Sequence, residues 1–203
     1  PEAVKMLPLI KELKKHREFE TLVCYSGQHE TLANNVFEFF SITPDYRFSG
    51  LSKTRTLKEM TVELLNYFDM LFTKISPNIV LVHGDTTTAF CAALSAFYLG
   101  IKVGHIEAGL RTFNNQSPFP EEFNRVCIDS LSAIHFAPTD MSAQNLLKEG
   151  ITSVFTTGNT CIDALKYTID KNYFSPISSD IKDKKIILDS KNSCLLAYIS
   201  GIS

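Results

Sequence analysis

The chain has 203 residues, enough for one substantial hydrophobic core or for a domain and part of another. Its hydrophobic share of 44% and charged share of 21% are typical of globular proteins. A net charge of -2 with scattered lysines and arginines argues against a nucleic-acid or anionic-membrane surface, and the sequence has no apolar run of membrane-spanning length and no visible signal peptide.

The first part of the chain is predicted to be mainly helical. Apolar residues recurring at three-residue intervals predict a helix over residues 2–17. A short strand is predicted over residues 21–26, ended by Gly27. Two further helices are predicted over residues 30–40 and 57–74.

Strands and helices alternate regularly from "PNIVLVHGD" onwards. Residues 79–82 are continuously apolar, which is typical of a parallel strand covered on both faces. An alanine-rich helix over residues 86–99 follows and is closed by Gly100. The same pattern predicts strands over residues 101–106, 134–137 and 153–156, and helices over residues 121–131 and 141–149. The segment "GNTCIDAL" opens a last helix, in which Thr160 and Asp163 have the spacing of a capping box.

This alternation predicts an α/β fold with a doubly wound, Rossmann-like parallel sheet. Such a domain normally opens with a strand, whereas this sequence opens with a helix. We therefore expect that the first strand, which would be central in the sheet, has been lost from the N-terminus. The character of the chain changes near Tyr173. We therefore expect a domain over residues 1–172, a polar linker over residues 173–184, and a short stub of a second unit over residues 185–203.

Acidic residues follow two of the predicted strands, where open α/β sheets bind their ligands. Asp85 comes directly after the strand "IVLVH" and Gly84; as a lone residue it fits best as the N-cap of the next helix, the commoner role of aspartate. Glu107 follows the strand "VGHI", and either a site role or an ion pair with Arg111 would explain it.

Two more acids, Glu121 and Glu122, begin a predicted helix, where acids are common without any functional reason. A structural role is therefore favoured for at least one of them. Taken together, however, Asp85, Glu107 and Glu121 would gather at one edge of the sheet, which suits proton transfer or binding of sugar hydroxyls. The cations that would hold an anionic ligand such as a diphosphate there are Lys5, Arg111 and Arg125.

Other polar residues give weaker signals. His83 and His105 lie within apolar strands and are interpreted as core histidines with satisfied hydrogen bonds. Gln28 and His29 follow Gly27 at a strand end and fit either ligand contact or turn formation. The phosphate-loop and G-x-G-x-x-G patterns are absent, and no cluster has the spacing of metal ligands. The five cysteines are odd in number and widely spaced, which favours reduced thiols in the cytoplasm over disulfides or a zinc site.

Six motifs carry a resemblance to a known family: "PEAVKM", "VHGDTTTAF", "GHIEAGLRT", "SPFPEEFNR", "FAPTDMSAQNLLKEG" and "TGNTCIDAL". In this order they resemble the non-hydrolysing UDP-N-acetylglucosamine 2-epimerases, from Pro1 to about Lys185. The resemblance implies the first half of a two-domain fold like that of GT-B glycosyltransferases. It also implies inversion at C2 of UDP-GlcNAc to give UDP-ManNAc, by elimination and re-addition of UDP, without a cofactor or metal and in a homodimer.

Position by position, Asp85, Glu107 and Glu121 match the carboxylates that the family uses in catalysis. Lys5 matches a lysine near the nucleotide, and His29 falls where some members contact a regulatory UDP-GlcNAc. The neighbouring "SKTRTL" departs from the family form, as do the missing "GTR" before Pro1 and the missing "HRRE" after "KKIIL".

The function predicted from the sequence is therefore that of a UDP-GlcNAc 2-epimerase, with this chain a fragment that is inactive by itself. Three alternatives remain open. In the first, the chain is a non-catalytic remnant that binds a nucleotide sugar or forms a dimer. In the second, it belongs to an epimerase for a modified uronic derivative of UDP-GlcNAc. In the third, it is part of a GT-B glycosyltransferase. No partner among nucleic acids or membranes is expected.

Overall fold

Parallel strands connected by helices form the fold, in a computed structural model that describes residues 2–26, 30–48 and 56–168. The helices are α1 (Glu2–Leu13), α2 (Glu30–Phe39), α3 (Leu57–Ile75), α4 (Thr87–Tyr98), α5 (Glu121–Leu131), α6 (Asp140–Lys148) and α7 (Thr160–Thr168). The strands are β1 (Cys24–Tyr25), β2 (Tyr46–Arg47), β3 (Ile79–His83), β4 (Lys102–Ile106), β5 (Ile134–Ala137) and β6 (Val154–Thr156). The predicted Rossmann-like α/β class is confirmed.

The main sheet has the order β3-β4-β5-β6, and all of its strands are parallel. In this register His83 is paired with Ile106, and His105 with His135. Because the strands are parallel, their carboxyl ends lie at one common edge. The strands β1 and β2 form a second, separate parallel sheet, so the described strands make two sheets instead of one continuous sheet.

Helices cover the main sheet and supply most of its core. The helices α3 and α4 pack on each other and α4 packs on β3 and β4, with α5 next to α4. The largest cluster of buried side chains joins these elements around Leu64, Phe68, Ala93 and Val103. Leu146 of α6 packs with Ala108 and Ala137 near β5. Burying a leucine, valine or phenylalanine side chain stabilises the fold by about 1.5–3 kcal/mol, and this packing fixes the strand ends relative to the helices.

Helix beginnings have clear local causes. Thr56 and Glu59 form a capping box at the start of α3, with each side chain bonded to the other residue's backbone amide. At α7 the predicted capping box of Thr160 and Asp163 is wrong. The helix already includes Thr160, and the Asn159 side chain accepts from the amide of Cys161 at 2.9 Å, so Asn159 holds the capping position.

The other predicted elements are confirmed to within a few residues, apart from the first helix, the first strand and β2, which was not predicted. The first helix ends at Leu13 instead of residue 17. The strand predicted over residues 21–26 is only Cys24–Tyr25, because its ladder partner β2 is itself two residues long and was not predicted. The predicted linker over residues 173–184 and the stub over residues 185–203 lie outside the described residues.

Candidate functional site

Asp85 lies immediately beyond the carboxyl end of β3, after Gly84 with its φ of +67°. It does not cap α4 as the simplest interpretation held. Thr86 is the N-cap, since its side chain accepts from the backbone amide three residues on at 3.2 Å. The Asp85 carboxylate is thereby left for another partner, and Arg125 Nη2 donates to its Oδ2 at 2.5 Å. Asn124 also donates to the Asp85 carbonyl oxygen at 2.9 Å.

Glu107 holds the equivalent place after β4, the strand next to β3. Its φ of +67° is rare for a residue other than glycine, and such backbone strain concentrates at functional sites. Lys5 of α1 donates to both carboxylate oxygens, at 2.8 and 3.0 Å. The ion pair with Arg111 that the sequence suggested for Glu107 is therefore wrong.

Arg111 is held elsewhere. Its Nη1 lies 2.7 Å from Asp129 Oδ2 and its Nη2 lies 2.6 Å from Glu149 Oε2, and only 1% of its side chain is exposed. The turn that begins with positive φ at Glu107 and continues with positive φ at Gly109 redirects the chain. Arg111 therefore pairs with different acids from the other predicted substrate cations, Lys5 and Arg125.

The three predicted carboxylates lie close together. Burial raises the pKa of Asp85; the charge of Arg125 opposes this, and the negative charges of Glu107 and Glu121 add to the increase. A Cβ atom built on Gly84 would lie 3.5 Å from Glu107 Oε2, which places the Glu107 carboxylate beside the Asp85 turn. Glu121 is the first residue of α5 and is half-buried. Asp85 thus lies within the electric fields of both other acids, Glu107 and Glu121.

Lys5 and Arg125 give this edge its positive charge. Burial alone would lower the pKa of Lys5, but the hydrogen bond and the charge of Glu107 outweigh it, so the pKa of Lys5 is raised. The side chains of Lys5 and Glu107 keep exposures of 23% and 14%, and those of Arg125 and Asp85 keep 11% and 27%. Each pair is therefore half-shielded from solvent and still reachable by a ligand.

The core histidines differ from one another. His105 is buried with both ring nitrogens hydrogen-bonded, as the sequence suggested. His83 is buried too, but among the described residues neither ring nitrogen has a hydrogen-bond partner, so the prediction of a satisfied histidine is wrong there. Its Nε2 lies 3.9 Å from Glu107 Oε2, and burial lowers its pKa to about 4.

Two buried acids of α5 have structural roles, and sequence reasoning missed the second of them, Asp129. Glu122 is 1% exposed, and its Oε1 accepts from the amides of Thr112 and Phe113 at 2.8 Å each. Glu122 thus has the structural role expected of one of the two acids at the start of the helix. Asp129 is equally buried, two helical turns further along the same face. The signal was available, because polar residues seven positions apart on a helix with a buried face mark a polar stripe turned inwards.

Two predicted ligand contacts, Gln28 and His29, lie outside the described residues. Within residues 2–26, 30–48 and 56–168, no group of three or more histidine, cysteine, aspartate or glutamate side chains is placed to hold a metal ion. Among the described helices, none combines the length and apolarity needed to cross a bilayer.

The parallel α/β sheet with charged groups at its carboxyl edge places the chain in the class of Rossmann-like proteins. In that class, ligands bind at the carboxyl edge of the sheet. The family model for UDP-N-acetylglucosamine 2-epimerase matches residues 11–197, and the chain belongs to this family. The family resemblance predicted from the six motifs is thereby confirmed.

Named relatives agree. The UDP-N-acetylglucosamine 2-epimerase of Bacillus subtilis is 47% identical over 190 residues, which are 93% of this chain and 50% of that protein. The Staphylococcus aureus MnaA structure with UDP has a TM-score of 0.86 at 43% identity, covering 90% of this chain and 49% of that one. The Neisseria meningitidis UDP-GlcNAc 2-epimerase bound to UDP-GlcNAc has a TM-score of 0.83 at 44% identity, covering 91% and 50%. The chain spans about half the length of the curated relatives it matches.

Proposed function

We propose that this protein acts as a UDP-N-acetylglucosamine 2-epimerase, which interconverts UDP-GlcNAc and UDP-ManNAc. One observation carries the proposal. Asp85 and Glu107 stand at the carboxyl ends of adjacent parallel strands, and each is ion-paired with a cation from a helix, Arg125 and Lys5 respectively. The names of the relatives supply the substrate, and this arrangement supplies groups suited to the chemistry.

The reaction needs a base for the weakly acidic C2 proton and stabilisation for the departing diphosphate. In the first half, a carboxylate takes the C2 proton, the C2–H electron pair forms the C1=C2 double bond, and the bond from C1 to the UDP oxygen breaks. UDP leaves with the electron pair of the broken C1–O bond. In the second half, UDP adds again to C1 while C2 receives a proton on its opposite face, so atoms and charge balance over the cycle.

Asp85, Glu107 and Glu121 are the proposed catalytic carboxylates. Burial raises the pKa of Asp85, with further increase from the charges of Glu107 and Glu121, and this suits a group that both takes up and returns a proton. Two acids of like charge beside a third also favour sharing of a proton among them.

Lys5 and Arg125 are the proposed diphosphate ligands. Both cations are ion-paired with carboxylates at the edge of the sheet. A diphosphate bound there would compete with these carboxylates for the two cations. Withdrawal of Lys5 towards phosphate would free Glu107 when the substrate binds. Gln28 and His29, which follow β1 in the sequence, are proposed as additional ligand contacts. Arg111 is not, because its guanidinium is buried against Asp129 and Glu149.

The test is an assay in deuterium oxide, which follows UDP-ManNAc formation and deuterium at C2. It uses residues 1–203 and, in parallel, these residues joined to the part of the Bacillus subtilis relative that the chain does not match. In the sample that shows turnover, we expect deuterium at C2 of the product. We also expect kcat to fall about 10²-fold or more for Asp85→Asn and for Glu107→Gln, since general acid–base catalysis contributes about 10²–10⁴-fold.

Asp163→Asn is the matched control, because Asp163 is an exposed acid paired with Lys166 on α7. It should leave kcat unchanged. If both samples fold and bind UDP-GlcNAc but form no UDP-ManNAc, the epimerase proposal is wrong and the non-catalytic binding alternative takes its place. Turnover of only a uronic derivative would instead reassign the substrate.

We also infer that the protein works in the cytoplasm and as a homodimer. Free thiols support the cytoplasmic location, because the cytoplasm keeps cysteines reduced. The free thiols are those of Cys24, Cys91, Cys127 and Cys161. The homodimer is supported by the family resemblance, and sedimentation of the purified protein tests it.

A further inference from the structure

A buried ion cluster connects the two turns that carry Asp85 and Glu107. Its centre is His105 of β4, whose side chain is fully buried. His105 Nε2 lies 2.8 Å from the carbonyl oxygen of Gly84, and Nδ1 lies 2.5 Å from Oδ1 of Asp129. A carbonyl and an ionised carboxylate can only accept, so each ring nitrogen faces an acceptor and the ring joins the two groups.

Asp129 extends the connection to the second turn. Its Oδ2 accepts from the amide of Gly109 at 3.2 Å and from Arg111 Nη1 at 2.7 Å. The two oxygens of one buried carboxylate thus reach β4 on one side and the turn after β4 on the other. The pKa of Asp129 is lowered, because the hydrogen bond and charge of His105 and the charge of Arg111 outweigh the effect of burial.

We propose that His105 and Asp129 are positioning residues that hold the Asp85 and Glu107 carboxylates in register with each other. The Gly84 carbonyl belongs to the peptide unit that enters Asp85, so the His105 bond fixes the start of that turn. Gly109 lies two residues after Glu107, so the Asp129 bond fixes the end of the other. This inference rests on the proposed epimerase function for its kinetic consequence, but the positioning itself does not depend on it.

The backbone of the second turn needs such support. Glu107 and Gly109 both have positive φ, +67° and +81°, and a strained residue such as Glu107 persists only where its surroundings hold it. Asn145 holds the Gly109 carbonyl at 3.0 Å, and Asp129 holds its amide. A Cβ on Gly109 would lie 2.2 Å from the carbonyl oxygen of Ser142, so this turn fits closely against α6. Removing the bond to Asp129 releases the side of the turn that faces the sheet edge.

The test compares His105→Gln with His135→Gln. A glutamine carries its donors on one nitrogen, so at position 105 it cannot reach Gly84 and Asp129 together. His135 is the matched control, since it is 2% exposed on the neighbouring strand and bonds the backbone carbonyl of Asp129 at 2.8 Å. Its ring hydrogen bonds go to backbone carbonyls of residues 129 and 153, outside both turns.

Two readouts are measured. Amide hydrogen exchange at Gly84 and Gly109, in residues 1–203, reports the positioning without any turnover. Steady-state kinetics, in the sample that shows turnover, reports its consequence. For His105→Gln we expect exchange at least about ten-fold faster at both glycines, and kcat about 10²-fold lower with KM nearly unchanged, because misplacing catalytic groups by about 1 Å costs this much. His135→Gln should change neither readout.

Equal exchange and equal kcat in the two variants would overturn the proposal. Asp129→Asn is a second variant, expected to release the Gly109 amide most strongly; should it fail to fold, the histidine pair decides. If the unaltered protein shows no epimerisation, the proposed function fails, and the exchange comparison alone then decides whether His105 fixes the two turns.

Discussion

His83 makes the stability of this protein depend on pH in a calculable way. The side chain lies at the carboxyl end of β3 with 3% exposure, and neither ring nitrogen has a hydrogen-bond partner among the described residues. Burial lowers its pKa to about 4, and the opposing charge of Glu107 does not offset this. The folded protein therefore prefers the neutral imidazole.

The magnitude follows from the two pKa values. An unfolded histidine titrates near pH 6.5, so below that pH the unfolded chain binds a proton that the folded chain refuses until about pH 4. Stability is unaffected above pH 6.5 and falls as the pH drops towards 4. The full loss is about 3 kcal/mol, at about 1.4 kcal/mol for each tenfold change in proton affinity, and about 2 kcal/mol of it is reached at pH 5.

Urea unfolding at pH 7 and pH 5 measures this loss. Other groups titrate over the same range, so the informative quantity is the difference between the unaltered protein and His83→Gln. We expect the variant to lose about 2 kcal/mol less between the two pH values. His16→Gln is the control, since the His16 side chain is 48% exposed and its contacts with Glu12 and Glu18 lie at the surface. The same pH dependence with and without His83 would refute the assignment.

Two further predictions concern the backbone around the site. Gly109→Ala should lower the free energy of unfolding by more than about 2 kcal/mol, because the strain of a positive φ adds to a clash with Ser142. Gly150→Ala is the control: Gly150 has a φ of +83°, but no atom lies within 4 Å of its Cβ, so this change should cost about 1 kcal/mol. Equal losses for the two variants in urea unfolding would contradict the clash. Thr86→Ala should lower the free energy of unfolding by about 1 kcal/mol, because it removes the N-cap of α4. Asp85→Ala should lower it far less. If thermal melts show the larger loss of stability for Asp85→Ala, Asp85 is the cap after all.

The positions of Asp85 and Glu107 could be predicted from the sequence because they depend on strand direction alone. Once two apolar runs form neighbouring parallel strands, whatever follows each run lies at the same edge. The runs were long and bounded by Gly84 and by a polar segment, so the strand ends were clear. The β1 and β2 strands were harder, because two-residue strands carry almost no periodic pattern.

The ion-pair partners could not be predicted, because they depend on turns whose φ values the sequence does not state. Arg111 lies four residues after Glu107, and proximity in the chain suggested a pair. The positive φ of Glu107 and Gly109 turns the intervening chain, and Arg111 meets Asp129 instead. Lys5 reaches Glu107 from the other end of the sequence, a separation of 102 residues.

The charges around the site fall into two sets with different physical demands. At the sheet edge, Lys5 and Arg125 pair with acids that keep some solvent contact, so a ligand can exchange partners at modest cost. In the interior, Asp129 contacts His105 and Arg111, and Arg111 also pairs with the partly exposed Glu149.

Removing one member of the interior set leaves a buried charge without compensation, which costs about 3–5 kcal/mol. Its residues therefore depend on one another in a way that the edge residues do not. A fold that must present mobile charges to a ligand and still keep two strand ends in register gains from this separation. Under the proposed function the exchangeable pairs face the ligand, and under the proposed positioning role the fixed pairs hold the backbone from which those pairs project.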